Sequence, residues 1–102
     1  MNPPKHLGRA TKAWWRAVVE AYELEPHHVS LLTLAAESWD RAQQARAALN
    51  GELTFMDRFG QPRARPEVAI ERDNRLAFAR LLRELALDVE APAASRPPGI
   101  RR

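Results

Sequence analysis

Residues 26–51, PHHVSLLTLAAESWDRAQQARAALNG, carry the longest helical pattern of this 102-residue chain. Pro26 suits the first position of a helix, where its missing N–H has no intrahelical partner. Asn50-Gly51 is a stop signal, because Gly51 can adopt the left-handed conformation that closes a helix. The pattern therefore predicts a helix over residues 26–50, roughly 35 Å long at about 1.5 Å per residue.

Two stripes of apolar and small residues run along this helix at spacings of three, four or their sums. The first stripe comprises Leu32, Ala35, Trp39, Ala42 and Leu49, and the second comprises Leu31, Leu34, Ser38, Ala45 and Ala48. One short partner helix cannot cover two stripes of that length. We therefore expect the central helix to be buried both by its own subunit and by a neighbouring copy, with Trp39 near the seam.

Two shorter helices flank the central one. The first is predicted over about residues 9–22 and the third over about 66–85, where Pro66 opens the helix and Leu81 belongs to an apolar row. The short link between the first two helices superficially resembles a DNA-reading helix-turn-helix. The second helix is too long, and its first half too apolar, for a recognition helix in a groove.

Residues 51–65 break the helical period. The run Leu53-Thr54-Phe55-Met56 favours a strand, and Asp57-Arg58 followed by Gly60 and Pro62 favours a turn. We predict a short β-hairpin or ordered loop, held against the helices by Phe55 and Phe59. Because an isolated two-stranded hairpin is marginally stable, it needs that support or a neighbouring subunit.

Composition bounds the class of protein. The chain has no cysteine, so disulfide scaffolds and thiolate metal sites are excluded. No apolar run approaches the roughly 18 residues of a membrane span. The first residues lack the apolar stretch of a signal peptide, and the absence of cysteine leaves an intracellular setting unopposed. The net charge of +3 and the pI near 10.2 hint at an anionic partner.

Four cations precede the first acid of the first helix, Glu20. Lys5, Arg9, Lys12 and Arg16 follow one another at spacings of four, three and four. All four share one face if the helix extends back to Lys5, and three do if it starts at Arg9. This face is either solvated or directed at phosphates, and the absence of interleaved acids favours the phosphate-facing interpretation.

A second basic cluster lies in the predicted hairpin. Arg58, Arg63 and Arg65 occur there with one acid, Asp57, among them. They form either a solvated edge, which is the more ordinary interpretation, or a second nucleic-acid contact.

No pattern of catalysis is present in the sequence. The four glycines are too far apart for a phosphate-binding loop, and no serine lies in a nucleophile turn. His27 and His28 are adjacent, so they point to different sides of a helix, and no third ligand has metal spacing with them. The residues alone thus predict a small, helical, basic and self-associating binding protein, not an enzyme, with no cofactor and no metal.

The chain divides into three parts. Residues 1–8 form a lead-in, residues 9–87 a helical domain with the candidate DNA-binding and oligomerisation surfaces, and residues 88–102 an extended, proline-bearing tail. The tail carries three cations and one apolar side chain, namely Arg96, Ile100, Arg101 and Arg102. It is expected to serve DNA phosphates, to dock as a peptide on a protein partner, or to be a disordered solubilising end.

A series of motifs carries a family resemblance. It runs from Leu7-Gly8 to Trp15, through Tyr22-Glu23-Leu24 to Leu31-Leu32, and from Trp39-Asp40-Arg41 to Leu49-Asn50-Gly51. It continues with Asp57-Arg58-Phe59-Gly60-Gln61-Pro62 and Arg65-Pro66, and closes with Leu82-Arg83-Glu84-Leu85-Ala86-Leu87. In order and spacing, over nearly the whole chain, this series resembles the small terminase subunits of tailed phages that package from cohesive ends. Ala86 replaces the glycine of a Leu-Gly-Leu close common in that family, and we expect it to lengthen the third helix by a turn.

The resemblance implies an all-α subunit that assembles into a homo-oligomeric ring in the host cytoplasm. It also implies a factor that recruits double-stranded viral DNA and regulates a large subunit, which supplies the ATPase and nuclease. DNA binding then falls to Lys5, Arg9, Lys12 and Arg16, with Arg58, Arg63 and Arg65 as secondary contributors. Leu32, Trp39, Leu49 and Leu81 are assigned to the core or the oligomer interface, and the tail to the large subunit. A dimeric DNA-binding repressor or antitoxin is the alternative, and a structural oligomer without a DNA role ranks third.

Overall fold

The computed structural model describes residues 1–87 and 89–92. In that part, the chain forms helices α1 (Arg9–Ala21), α2 (Pro26–Leu49) and α3 (Pro66–Leu85), with strands β1 (Thr54–Met56) and β2 (Pro62–Ala64) between α2 and α3. The predicted three-helix architecture with one long central helix and a hairpin before the third helix is confirmed.

The ends of α2 follow from its terminal residues. Pro26 lies in the first turn, and the N–H of Glu25 just before it donates to Nδ1 of His28, 3.2 Å away. At the other end Asn50 already adopts the left-handed conformation, with φ of 47°, and Gly51 follows with φ of 82°. The helix therefore ends one residue earlier than predicted, and the two left-handed residues turn the chain sharply into the hairpin.

α3 runs back along α2. Trp39 of α2 contacts Phe78 of α3. Leu32, seven residues before Trp39, shares a core cluster with Leu85, which is seven residues after Phe78. The two helices are therefore antiparallel. The buried side chains of α2 are mostly small, and they include Ala35, Ala36, Ser38, Ala42 and Ala45. Small side chains allow helix axes to approach closely.

The two predicted stripes of α2 are buried to different extents by the rest of the subunit. In the first stripe Leu32, Ala35, Ala42 and Leu49 are buried, and Trp39 is half-buried. In the second stripe Ser38 and Ala45 are buried and Leu31 is half-buried, whereas Leu34 and Ala48 are exposed. The subunit therefore covers one stripe and part of the other.

α1 packs against α2 between about Leu32 and Asp40 and against the last half of α3. Its most buried residues are Thr11, Trp15 and Val18, at the i, i+4, i+7 spacing of one helical face. Trp15 and Val18 join Leu7, Leu32, Ala36 and Leu85 in the main core. Because α1 has 13 residues and α2 has 24, the hairpin end of the α2–α3 pair extends beyond α1. The Cα radius of gyration is 16.2 Å, against about 13 Å for a compact chain of this length.

The hairpin is confirmed, but its expected support is wrong. Thr54 pairs with Ala64, Phe55 with Arg63 and Met56 with Pro62 in an antiparallel ladder. Every residue of both strands is exposed, and Phe59 in the turn is 72% exposed. Phe55 and Phe59 therefore do not hold the hairpin against the helices, because the hairpin leaves the end of the α2–α3 pair instead of folding back on it.

The expected lengthening of α3 at Ala86 is also wrong. The helix ends at Leu85, and Ala86 adopts the left-handed conformation with φ of 56°. Its N–H donates to the carbonyl oxygens of Leu82 and Arg83, at 3.2 and 3.1 Å. Ala86 thus closes the helix in the conformation that glycine adopts most easily, at a steric cost from its Cβ.

Replacing Ala86 with glycine should therefore stabilise the protein. We expect Ala86→Gly to raise the free energy of unfolding by about 0.5–1 kcal/mol in urea titrations, because relief of the Cβ strain exceeds the entropy that glycine adds to the unfolded chain. Ala79→Gly, at an exposed interior position of the same helix, is the matched control and should lose about 0.5–1 kcal/mol. Equal losses in the two variants would show that Ala86 is not left-handed in solution.

Candidate nucleic-acid interface

Three cations share one face of α1. The helix starts at Arg9, so Arg9, Lys12 and Arg16 are on its surface at spacings of three and four. Arg9 and Arg16 are exposed and Lys12 is half-buried. Within the described part of the chain, none of the three is in an ion pair. Their charges are therefore available to an anion from solvent.

Lys5 lies outside the helix. It is exposed in a turn that is closed by the N–H of Leu7 donating to the carbonyl oxygen of Pro4, 3.4 Å away. Of the two predicted alternatives, a helix that extends back to Lys5 or one that starts at Arg9, the structure has the second. Three cations of the stripe are therefore on the helix, and Lys5 is on the preceding turn. The lead-in that carries Lys5 packs on the subunit, because Pro3 and Leu7 are buried.

Asp40 of α2 fixes the start of α1. Its Oδ2 accepts the Gly8 N–H at 2.7 Å, and its Oδ1 accepts the Thr11 hydroxyl at 2.5 Å. A carboxylate at this place satisfies one free N–H group at the start of α1 and interacts favourably with the positive end of the helix dipole. Nearby, His6 Nε2 contacts Glu37 Oε2 at 2.8 Å. No local pattern in the sequence indicates this role of Asp40, since its partners are 29 and 32 residues away.

The hairpin arginines differ from those of α1. Arg63 Nε contacts Asp57 Oδ2 at 2.9 Å, and Arg65 Nη1 contacts Glu52 Oε1 at 3.2 Å. The guanidinium of Arg58 lies over the Phe59 ring, 5.0 Å from its centroid. Asp40, beside the start of α1, is ten residues before Asn50, about 15 Å along α2. The cations of α1 and the arginines of the hairpin therefore lie at different places along α2, and they form two separate basic patches.

Asp57 organises the turn of the hairpin. Its Oδ1 accepts the backbone N–H groups of Phe59 and Gln61 at 2.8 and 2.9 Å, and its Oδ2 accepts from Arg63. The hydrogen bond from Gln61, followed by those from Arg63 and Phe59, holds the pKa of the Asp57 carboxyl below its ordinary value. The carboxylate of Asp57, the acid predicted among the hairpin arginines, is thus occupied by hydrogen bonds from the hairpin itself. Arg58 and Phe59 of the same turn are exposed to solvent.

The residues assigned to the core or the oligomer interface lie in two zones. Leu32 is fully buried in the main core, and Leu49 is buried at the hairpin end of α2. Trp39 and Leu81 are half-buried. Trp39 contacts Phe78 in a tilted arrangement, with ring centroids 5.0 Å apart, so part of its cover comes from its own subunit. Phe78 was missed as a core residue, although its spacing to Leu82 and Leu85 marks one helical face.

The segment after α3 lies along α1. The indole N–H of Trp14 donates to the carbonyl oxygen of Glu90 at 2.6 Å, and Leu87 and Val89 pack against the main core. The tail assigned to residues 88–102 therefore begins with a stretch that is held on the subunit. The tail residues assigned to a partner, Arg96, Ile100, Arg101 and Arg102, lie outside the described residues.

Neither a metal site nor a membrane span is found in residues 1–87 and 89–92. No group of three or more His, Asp or Glu side chains there is arranged to hold a metal ion. The adjacent rings of His27 and His28 contact each other, with centroids 4.1 Å apart. No helix in this part is long and apolar enough to cross a bilayer.

Comparisons with protein-family models, with curated proteins and with solved structures find no match to this chain.

Removing the Asp40 carboxylate should destabilise the subunit. Asp40→Ala leaves the Gly8 N–H and the buried Thr11 hydroxyl without their acceptor, which should lower the free energy of unfolding by about 1–3 kcal/mol in urea titrations. Asp73→Ala is the control, because exposed Asp73 contacts only its neighbour Arg72 among the ion pairs of the described part. Its effect should stay within about 0.5 kcal/mol. If the two variants are equally stable, Asp40 does not anchor α1.

Proposed function

We propose that this chain is a DNA-packaging factor of the small terminase type. It self-associates into a ring, binds double-stranded viral DNA, and recruits or regulates a large subunit that supplies ATPase and nuclease activities. The chain itself performs no catalysis. The family resemblance of the sequence suggests this role, and the physical features of the subunit support its separate parts.

The observation that carries the proposal is the basic face of α1. Arg9, Lys12 and Arg16 follow one helical face, and no ion pair within the described residues neutralises them. By contrast, Arg72 and Arg75 in the first half of α3 each contact an acid. A row of unpaired cations on a rigid helix suits the regularly spaced phosphates of a duplex. Contacts of this kind give affinity with little sequence preference.

Uncovered apolar surface supports self-association. Leu34 on α2 is half exposed, and Phe55, Met56 and Phe59 on the hairpin are exposed as well. Phe55, Met56 and Phe59 lie within one five-residue span, and a cluster of exposed apolar side chains commonly marks an interaction site. The ring and its copy number rest on the resemblance, and a dimeric DNA-binding regulator is the alternative. Mass in solution separates the two, because a ring is several-fold heavier than a dimer.

Neutralising the basic face should weaken DNA binding and its salt dependence together. For the triple variant Arg9→Gln, Lys12→Gln and Arg16→Gln, the negative slope of log K against log salt should become shallower. Its magnitude should decrease by about 0.9 for each lost phosphate contact on each bound subunit. Fluorescence anisotropy with two unrelated duplexes measures both the slope and the sequence preference.

The matched control neutralises three exposed arginines of α3, Arg72, Arg80 and Arg83, and so removes the same net charge. It should retain most of the wild-type slope. If the α1 variant keeps the wild-type slope, its cations form only a solvated face. Arg58, Arg63 and Arg65 are then the next candidates.

Deleting residues 95–102 should distinguish the role of the tail from that of the oligomerising helical domain. We expect the truncated protein to keep its oligomer mass and melting temperature, while its stimulation of the large subunit's ATPase falls. Ile100 offers a docked peptide an apolar anchor that phosphate contacts do not need. Undiminished stimulation refutes tail docking, and a loss of DNA affinity instead assigns Arg96, Arg101 and Arg102 to the nucleic-acid site.

A further inference from the structure

The side of α1 that carries the cations is turned toward α2 and away from α3. The indole N–H of Trp15 donates to the hydroxyl of Thr33 on α2 at 3.2 Å, whereas Trp14 contacts an aromatic ring of α3. At about 100° per residue, Lys12 and Arg16 are each about 160° from Trp14 around the helix axis. The basic face of α1 therefore lies on the side of the subunit where α1 meets α2.

A polar stripe runs along α2 on this side. Glu37, Asp40 and Gln44 follow Thr33 at spacings of four, three and four, so the four residues share one face of the helix. Arg41 comes four residues after Glu37 and borders the same face. Arg41 and Gln44 are both exposed. The stripe thus ends in two exposed side chains that donate hydrogen bonds.

α1 runs antiparallel to α2 along this stripe. Near the start of α1 the Thr11 hydroxyl donates to Asp40, and four residues later Trp15 donates to Thr33, which precedes Asp40 by seven residues. A step toward the start of α1 is therefore a step toward the end of α2. The row of cations on α1 is directed at the residues of α2 that follow Asp40.

A polar cleft lies at this place, between α2 and the lead-in to α1. Its volume is about 250 Å³, and it is lined by His6, Leu7, Glu37, Asp40, Arg41 and Gln44. We call it the Arg41 cleft. Lys5 precedes its lead-in residues in the sequence and Arg9 follows them, so the cleft adjoins the beginning of the basic face.

The acids of the Arg41 cleft have partners other than Arg41. Glu37 Oε2 contacts His6 Nε2 at 2.8 Å, and both carboxylate oxygens of Asp40 accept hydrogen bonds from the start of α1. Within the described residues, Arg41 is in no ion pair. Its guanidinium is therefore available to an anion from solvent.

We propose that the Arg41 cleft binds the phosphate backbone of a DNA duplex and continues the basic face of α1 onto α2. Arg41 supplies a charge-assisted hydrogen bond to a phosphate oxygen, and the side-chain amide of Gln44 donates a second, neutral one. This inference rests on the DNA binding by α1 in the proposed function. It adds the residues of α2 that take part and the direction in which the duplex leaves α1.

The chemistry of the cleft favours DNA over a protein partner. Among its described lining residues Leu7 is the one apolar side chain, and Leu7 is buried in the main core. The cleft therefore lacks the exposed apolar centre of a typical protein interface. A row of cations that runs from Arg16 through Arg9 to Arg41, none of them in an ion pair within the described part, suits a linear array of phosphates.

Salt titrations of single-charge variants test this contact. Arg41→Gln should decrease the magnitude of the slope of log K against log salt by about 0.9 on each bound subunit, because one phosphate contact is lost. Arg46→Gln is the matched control and should keep the wild-type slope. Arg46 is also an exposed arginine of α2, but it is about 140° from Arg41 around the helix axis. Circular dichroism and the melting temperature verify that both variants are folded.

A photo-cross-linking measurement locates the duplex without removing a charge. The chain has no cysteine, so Gln44→Cys introduces a unique thiol at the cleft, to which an aryl azide can be attached. Illumination with bound duplex should give a covalent adduct of protein and DNA. The same probe on the Ala79→Cys variant, at an exposed position of α3, should give little adduct.

Other outcomes overturn the inference in distinguishable ways. A wild-type protein that does not bind the duplex refutes the DNA binding in the proposed function, and the inference with it. Suppose instead that the triple variant of α1 has a shallower slope. If Arg41→Gln then keeps the wild-type slope, or the probe at residue 44 gives no adduct, the cleft lies outside the DNA site and the proposed function stands. Equal losses of slope in Arg41→Gln and Arg46→Gln indicate a general effect of charge and no contact at the cleft.

Discussion

Phe78 on α3 contacts a tryptophan on each of the other two helices, and this aromatic junction joins all three helices. The Phe78 ring lies 5.0 Å from Trp39 on α2 and 5.9 Å from Trp14 on α1, measured between ring centroids. Tilted aromatic pairs at these distances contribute about 0.5–1.5 kcal/mol each beyond their area burial. The junction joins α1 to the α2–α3 pair, and Asp40 adds a second attachment at the start of α1. Because α1 is fixed at two places, its basic face has a defined direction relative to the long helices.

Local sequence signals predicted the elements, and distant contacts decided the rest. Pro26 and Pro66 marked the starts of α2 and α3 because proline acts on its own backbone. The period of α2 likewise predicted the burial of Leu32 and Leu49. Ala86 was misjudged, since alanine favours a helix and gives no local sign of the left-handed turn that closes α3. The roles of Phe78 and Asp40 depend on partners far along the chain, and no local pattern shows them.

The hairpin illustrates the same limit for the candidate site. Its strands and turn were predictable from β-branched and aromatic residues followed by glycine and proline. The direction in which Phe55 and Phe59 point was not, because it depends on how the Asn50-Gly51 turn sets the hairpin relative to α2. Arg63 and Arg65 each pair with an acid, which the α1 cations do not do within the described residues. The sequence alone did not show this difference between the two basic clusters. The subunit thus separates a charged helix from an apolar hairpin, and the proposed function gives DNA binding to the first and self-association to the second.

The most direct test of the DNA-facing role of α1 uses the two lysines of the chain, Lys5 and Lys12, which are both in the basic region predicted from sequence. Acetylation rates of their amines can be measured by mass spectrometry with and without saturating duplex DNA, with the N-terminal amine as internal reference. If α1 binds the duplex, acetylation of Lys12 should slow markedly, and that of Lys5 should slow to a smaller or equal extent. Unchanged rates at both lysines, under conditions where binding of the duplex is verified, would contradict the account.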